Sequence, residues 1–358
     1  MKYISLSWFF LVLLLCSCSR QSKVFFDDQV LVEVEMVEKV SKLIKKDIDC
    51  IYPIKMARMD SLFIIQDLVG SNIVNVFNEQ GEFLSCLIKK GPGPDEVSNV
   101  TAEFCLDRSK GIVSVYDRPY LKDYNVYKFM DGEKNFCVRV NYSSFNEKYP
   151  IKNAFRMNGS VLLVGFTKNM RYAVVRDDSI TDVYKDYPLI IDVEQRDELI
   201  PAIISYSPCF GVAPDGESWV QGTYIGGVLE SFKISNGMIS AESKSFIYPP
   251  YYEANVSKAG VDVSWGNETT IGFEDIVITS DYIYTLLNGI KGENLKNIPP
   301  ISPFTDKITV FDKQGNVAKI IKTDCMIMTF DIDEKENKCY AVVYNGAEGF
   351  DLREISIL

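Results

Sequence analysis

MIMTFDIDEKENKCYAVVYNGAEGFDLREISIL, Met326 to Leu358, is the stretch on which the fold turns. It holds three alternating apolar runs, MIMTFDID, KCYAVVYN and LREISIL, separated by turn residues. The chain then stops without the hairpin partner that each earlier unit has. An outer strand left unpaired would offer its free amides and carbonyls to other chains. Near the N-terminus, QVLVEVE (Gln29 to Glu35) is an alternating run with no neighbour in sequence. Pairing it beside Leu352 to Ile357 supplies the missing strand, so the last unit is expected to be built from both ends and to latch a ring.

Short alternating runs separated by turn residues recur upstream from about Ile51, and only Met36 to Lys46 shows a 3.6-residue period. Turns of the Asp/Asn/Gln-Gly type mark hairpins at Gly81, Gly132, Gly159, Gly216, Gly237 and Gly315. VFNEQGEFLSCLIK from Val76 lines up with VFDKQGNVAKIIK from Val310, and YKFMDG from Tyr127 lines up with FKISNG from Phe232. Each reads as strand, tight turn, strand. The intervals suggest units of roughly fifty residues, the scale of propeller blades with long loops. The sequence therefore predicts an all-β chain: a six-bladed β-propeller over residues 29–358, closed by an N-terminal latch strand in the last blade.

The first residues, MKYISLSWFFLVLLLCSCS, give a positive start at Lys2, an apolar core and small residues closing on a cysteine. This reads as a signal peptide over 1–17, too short to stay as a spanning helix. Leu15-Cys16-Ser17-Cys18 resembles a lipoprotein lipobox, which implies Cys18 as the lipidated residue and 18–28 as a tether. Cys16 is the rival, with bulky Leu15 where the peptidase takes a small side chain.

The chain carries 38 basic and 49 acidic residues, a net charge of −11. That balance argues against nucleic acid and against electrostatic docking on anionic lipid, leaving the lipid anchor as the only membrane attachment. Histidine is absent. Ser-His-Asp triads, Cys-His pairs, HExxH zinc sites and a histidine general base are thereby excluded. Beyond Cys16 and Cys18, seven cysteines remain, an odd number with no CxxC pair, and several sit in apolar runs where a thiol acts as a small hydrophobe. A chain this long buries a core without a disulfide framework.

LIKKGPGPDEV (Leu87 to Val97) follows one of the hairpins. It resembles the G-x-G-P-x-E segment of the six-bladed, TolB-like propeller lipoproteins of glycan-foraging gut anaerobes: Gly91, Gly93, Pro94 and Glu96 match, and Asp95 stands where that family often has glycine. The resemblance implies an exported lipoprotein, often encoded beside polysaccharide uptake systems, with no established reaction, and at most a propeller that binds envelope proteins. Read from its residues, the loop is a structural corner from the outer strand of blade one to the inner strand of blade two. Its glycines reach backbone angles closed to other residues, and its prolines offer no amide to a ladder. A phosphate loop would precede a helix, and here a strand follows. Glu96 is expected to accept from turn amides.

Two places are candidates for ligand contact. An insertion assigned to blade five, Pro249 to Phe304, holds Tyr251, Tyr252 and Trp265 as flat faces for a sugar or peptide, with Asp262, Glu268, Glu274 and Asp275 for polar groups or a cation. In DRPYLKDYNVY, between the second and third strands of blade two, Arg118 and Tyr120 would project at the rim. Each has a structural alternative: the aromatics could pack on neighbouring blades, and Arg118 could pair with Asp117 or Asp123. The carboxylate pairs Asp27-Asp28, Asp177-Asp178 and Asp331 with Asp333 read as turn formers, and Asp331 to Asn337 as a β-turn that lacks the glycine and distant glutamate of a calcium loop.

The functional expectation is a non-enzymatic outer-membrane lipoprotein, on the periplasmic or cell-surface side. It would be a monomer without catalytic residues, metal or cofactor, binding an envelope protein or a glycan or peptide ligand on one propeller face. The alternative is a carboxylate- or calcium-dependent hydrolase or lyase at the channel.

Overall fold

The structure is a computed structural model that describes residues 27–358, apart from 99–102, 168, 188–207, 252, 258–259, 265, 296–304, 347–348 and 358. The described chain is nearly all strand. The N-terminal strands are β1 (Met36–Lys39) and β2 (Ser41–Lys45). Blade one is β3 (Pro53–Met59), β4 (Leu62–Asp67), β5 (Asn72–Phe77) and β6 (Phe83–Lys89). Blade two is β7 (Cys105–Asp107), β8 (Ile112–Asp117), β9 (Tyr120–Asn125) and β10 (Cys137–Asn141). Blade three is β11 (Ile151–Met157), β12 (Ser160–Thr167), β13 (Met170–Arg176) and β14 (Ser179–Tyr184). Blade four is β15 (Pro208–Val212), β16 (Ser218–Thr223), β17 (Val228–Ser235) and β18 (Met238–Phe246), followed by a hairpin of β19 (Glu253–Ser257) and β20 (Gly260–Ser264).

Blades five and six share one long strand. β21 (Phe273–Ile278), β22 (Tyr282–Leu287) and β23 (Thr305–Asp312) pair in order, and the first part of β24 (Val317–Asp333) closes blade five. The second part of β24, from Met326, is the inner strand of blade six and pairs with β25 (Lys338–Tyr344), which pairs with β26 (Phe350–Ser356). β2 then adds antiparallel to β26, Ser41 opposite Ile355, as the fourth strand.

Blades pack face to face, so a middle strand is apolar on both sides and successive residues serve different neighbours. Ile64 of β4 packs with Val113 and Val115 of blade two. Its neighbours Phe63 and Ile65 pack with Tyr340 and Val342 of blade six. Likewise Val161 and Leu163 of β12 meet Tyr116 and Leu121, whereas Leu162 and Val164 meet Trp219 and Phe232. This explains the runs FII, VLLV and AVV, continuous where a half-exposed sheet would alternate. Among the described residues six such clusters occur, one between each pair of adjacent blades.

The last blade is built from both ends of the chain as expected, but the N-terminal residues that do it are not Gln29 to Glu35. Asp28–Leu31 is a 3-10 turn, capped by the Asp27 side chain accepting from Gln29 N, and Val32 is 74% exposed. The sheets begin at Met36, not Gln29. The 3.6-residue period of Met36 to Lys46 also misleads, for these residues form two strands. β1 lies parallel on the outer part of β24, Met36 opposite Ile320. Asp324 Oδ1 then accepts from Ser41 N at 2.8 Å where the chain steps across to blade six. Edge pairing of the backbone overrides the side-chain period here, because Val40 and Leu43 remain exposed.

Two further expectations change. The residues from Tyr127 lie not in a strand but in a short helix, α1 (Val126–Met130), because the Asn125 side chain accepts from Lys128 N and caps it. The segment from Pro249 to Phe304 is not one insertion: β21 and β22 within it are blade strands, and only the β19–β20 hairpin and the flanking loops are additions.

The connections divide between two faces. The six Asp/Asn/Gln-Gly turns named above join first to second or third to fourth strands and therefore share one face, each glycine at positive φ, from 65° to 86°, whereas Asn288-Gly289 and Asn345-Gly346 follow second strands on the other face. The opposite face carries the crossings between blades, among them the Gly-Pro loop, α2 (Ser143–Lys148) and the β19–β20 hairpin.

Candidate functional site

The six inner strands, β3, β7, β11, β15, β21 and the second part of β24, line a central channel narrowed to a cavity of about 60 Å³. Its waist is apolar, with Ala57, Phe155, Phe210 and Val277, and the two phenyl rings lie 5.0 Å apart. Below the waist, at the short-turn face, Arg108 Nη2 contacts both Asp331 oxygens at 2.6 and 2.5 Å, and Arg58 reaches Asp333 at 2.6 Å. Asp331 also accepts from Arg58 N at 2.6 Å, and the Arg58 guanidinium lies 4.4 Å above the Tyr340 ring. That end is plugged by paired charges, so Asp331, expected as a turn former, is a buried ion-pair partner, and of the two only Asp333 serves the turn, accepting from Lys335 N and Glu336 N.

The mouth at the long-loop face is different. Lys55 Nζ donates to Asp275 Oδ1 at 2.5 Å and to the Ile276 carbonyl at 3.3 Å, with Glu103 4.0 Å away. Asp275 is 2% exposed, and its second oxygen accepts from Thr329 Oγ1 at 2.7 Å and Phe330 N at 3.2 Å. These contacts leave Asp275 a positioning group that fixes the ammonium and joins blades one, five and six. Glu103 is less committed. Burial, opposed by Lys55 and reinforced by the Asp275 charge, lifts its pKa from 4.5 to about 7. Burial lowers the pKa of Lys152 on β11, against the pull of Glu103. Burial works against the Lys55 charge too, but Asp275 and Glu103 outweigh it and its pKa stands above the ordinary lysine value. The Cys209 thiol in the same wall is pushed up by burial and by Glu103 and Asp275, so it is no nucleophile. The mouth thus presents a carboxyl that gains and loses its proton near neutral pH, beside two amines.

The Gly-Pro loop runs from β6 to β7 on this face. Its Glu96 carboxylate turns back into the loop, Oε2 accepting from Gly93 N at 2.8 Å. Neither glycine takes the positive φ expected of it; instead a Cβ on Gly91 would lie 2.1 Å from that oxygen and one on Gly93 2.9 Å, so the room for the Glu96 carboxylate is what glycine supplies here. Lys122 Nζ donates to the Glu96 carbonyl and pairs with Asp117 at 2.8 Å, and Asp117 accepts from Ser98 N and Oγ at 3.1 and 2.6 Å. Pro94 with Gly93 and Glu96 borders an outer groove lined by Phe83, Leu84, Phe129 and Phe136.

Arg118 is exposed on the turn between β8 and β9, and Tyr120 is half-buried beneath Arg139, whose guanidinium lies 4.9 Å from the ring centre. Tyr251 is 52% exposed, and its carbonyl accepts from Thr269 Oγ1 at 2.9 Å. Tyr252, Trp265 and the Asp262 side chain lie outside the described residues, as do the leader and Cys18. Blade two and the loop before blade five stand on opposite sides of the ring, so Arg118 and Tyr120 do not share a site with Tyr251. Glu274 is held at 3.4 Å by Asn288, while Asp275, one residue on, reaches the mouth. Lys55, Glu103 and Lys152 were missed in the sequence. The available signal was a charge inside or beside an otherwise apolar inner strand, as in YPIKMARM and FEDIVI. Among the described residues, no group of three or more acidic or cysteine side chains is placed to hold a metal ion.

A closed ring of six four-stranded blades with one plugged end and one charged mouth defines a six-bladed propeller. A family model described as TolB-like 6-blade propeller-like matches residues 32–335, and the chain belongs to that family. No curated protein matches it significantly in sequence. Among solved structures, a candidate exported protein of Bacteroides fragilis NCTC 9343 superposes with a TM-score of 0.51 at 11% identity, over 90% of this chain and 99% of the other. U3-55K gives a TM-score of 0.46 at 10% identity, over 84% of this chain and 79% of its own.

Proposed function

We propose that this chain is an exported, lipid-anchored binding protein of the outer membrane that holds a glycan fragment, a peptide or an envelope protein at the long-loop mouth of its propeller. The observation that carries this reading is the asymmetry of the channel. The short-turn end is sealed by Arg108, Asp331, Arg58 and Asp333, whereas the other end offers Glu103 and Lys152 beneath the blade crossings. Such a cup suits recognition by a few polar groups in a preformed concavity. The acidic composition speaks against nucleic acid as the partner, and no helix among the described residues is long and apolar enough to cross a membrane. The lipobox-like Leu15-Cys16-Ser17-Cys18, with Ser19 next, supports lipid at Cys18 and outer-membrane sorting; a link to polysaccharide uptake rests on the family resemblance alone.

One observation favours the hydrolase alternative: a glutamate with a pKa near 7 has the protonation behaviour of a general acid. Against it, Asp275 is fully engaged by Lys55, Thr329 and Phe330 and is not free to act as the second carboxylate. Calorimetry against envelope glycan fragments and peptides should find a ligand whose affinity falls at least tenfold in Glu103→Gln/Lys152→Ala. Turnover of any such ligand that vanishes in Glu103→Gln would replace the binding reading with the enzymatic one. Separately, Cys18→Ala should move the protein from the membrane to the soluble fraction, because the lipid on that cysteine is the proposed anchor. Membrane retention by the variant refutes the anchor.

A further inference from the structure

On the opposite face, the junction of blades three and four encloses a second cavity, of about 350 Å³, that the channel does not use. Its frame is rigid. The first turn of blade three meets the first turn of blade four through Asn158 N donating to the Gly216 carbonyl at 2.6 Å, and Gly216, at φ 65°, leaves no room for a side chain there without pressing on Asn158. Farther out, Thr181 Oγ1 donates to the Gly237 carbonyl at 2.9 Å and Ile239 N to Asp182 at 2.7 Å, so the two blades are fixed to each other on both sides of the opening.

Ser160, at the start of β12, faces this cavity. It is 8% exposed, and its Oγ, itself shielded from solvent, has no hydrogen-bond partner among the described residues. A hydroxyl buried without a partner carries a desolvation cost, so a ligand group that draws Ser160 Oγ round towards the cavity and completes it has an energetic advantage at this spot. Two cations line the same wall, Arg176 at the end of β13 and Lys233 on β17, and among the described residues neither has a carboxylate within ion-pair distance. Lys233 acts on Asp215 only at longer range, for the Asp215 carboxylate is taken by Glu217 N, Ser218 N and Ser218 Oγ. Exposed Arg176 and half-buried Lys233 thus converge here in a chain whose net charge is −11. The side-chain amides of Asn158 and Asn236 and the Glu217 carboxylate complete a lining that is mainly polar.

We infer that this cavity is a binding site for a small polyhydroxylated carboxylate, a sugar acid in chemical class. The Arg176 fork matches a carboxylate through paired hydrogen bonds, with Lys233 adding a point charge. Ser160 and the two amides donate to or accept from ligand hydroxyls, and Glu217 accepts from one. The scarcity of apolar surface disfavours an aromatic or acyl ligand. The site is independent of the channel mouth and stands or falls separately from it.

The test uses the intact protein and glucuronate as probe, with glucose and inorganic phosphate as comparison arms, followed by calorimetry and by ligand-induced thermal shift. Wild type should bind glucuronate at least tenfold more tightly than glucose or phosphate. Arg176→Gln should lose at least tenfold, and Lys233→Gln should weaken binding while leaving the fold intact, since among the described residues neither side chain has an ion-pair partner to lose. Ser160→Ala is the sharper arm: it should weaken glucuronate several-fold while leaving the ligand-free protein as stable as wild type or more so. The assignment is overturned if wild type does not bind glucuronate at millimolar concentration, if glucose or phosphate binds as well, if Arg176→Gln binds normally, or if Ser160→Ala destabilises the free protein, which would mean the hydroxyl already has a partner.

Discussion

Replacing Asp275 by alanine should be among the most damaging single changes in this molecule. The carboxylate is 2% exposed and receives Lys55 Nζ, Thr329 Oγ1 and Phe330 N at 2.5, 2.7 and 3.2 Å. Its removal leaves an ammonium in the channel wall with only Glu103, 4.0 Å off, as a counter-charge, and leaves a hydroxyl and an amide without an acceptor. Breaking a buried pair by deleting one partner costs about 3–5 kcal/mol, and the stranded donors push towards the upper end of that range. Net stability of a folded domain is only about 5–15 kcal/mol. With a urea slope of about 2–3 kcal/mol/M, the midpoint should fall by about 1–2 M. Tryptophan fluorescence reads the transition, because Trp219 is fully buried, stacked 5.1 Å from Phe232. Lys55→Met/Asp275→Leu should recover a large part of the loss, since two apolar groups need no counter-charge, and Lys55→Met alone should be milder than Asp275→Ala because Thr329 and Phe330 still serve the carboxylate. An unchanged midpoint for Asp275→Ala, or a double variant no better than that single one, refutes the reasoning.

Gly91→Ala would set a methyl 2.1 Å from Glu96 Oε2, expel the carboxylate and orphan Gly93 N, at a cost of about 1–2 kcal/mol by thermal unfolding; added to Glu96→Ala it should cost little more, and a full additive penalty would show that the clash is not with Glu96. A chain begun at Lys46 lacks β1 and β2 and should aggregate, as light scattering would show, whereas one begun at Met36 loses little beyond the packing of Leu31 on the blade four and five cluster. Equal behaviour of the two truncations would contradict ring closure by β2. Because the Glu103 pKa is raised from 4.5 to about 7, the folded chain keeps a proton that the unfolded chain has released; the stabilisation from this group is therefore complete below pH 4.5 and lost as pH rises through 7. Glu103→Gln should flatten that part of the stability profile, and superimposable profiles for variant and wild type would count against the shift.

The blade count could be read because five of the six units carry one of the glycine turns named above, and the last shows three strands in want of a fourth. That the six glycine turns share one face follows from strand order and needs no coordinates. The latch was misplaced for a physical reason. Val30, Val32 and Val34 alternate with charges as an edge strand would, but alternation records a side-chain pattern, whereas an outermost strand is held by backbone pairing and can leave Leu43 47% exposed. Helical spacing in Met36 to Lys46 is equally uninformative at an edge. The channel mouth was illegible because Lys55, Glu103, Lys152 and Asp275 come from four different blades and acquire their properties only from mutual proximity and burial. Only Asp275 was noted in the sequence, as one of several acids in a supposed insertion, with nothing to set it apart from Glu268 or Glu274.

The pairing of β2 with β26 also governs when the molecule can finish folding. The hydrogen bond from Arg353 to Ser41 Oγ joins residues 312 positions apart, and Ile48 N donates to the Phe350 carbonyl at 2.8 Å just beyond it. Blades one to four each form from one contiguous stretch and can assemble as the chain emerges from a ribosome. The sixth blade cannot, since its outer strand is made near the start and its other three at the very end. Throughout synthesis the growing chain is an open arc, with Ser41–Lys45 waiting for a partner not yet delivered, and a contact of such long range is slow to form. A nascent chain stalled before Phe350 therefore holds an incomplete ring with unpaired edges, the form that chaperones and proteases act upon.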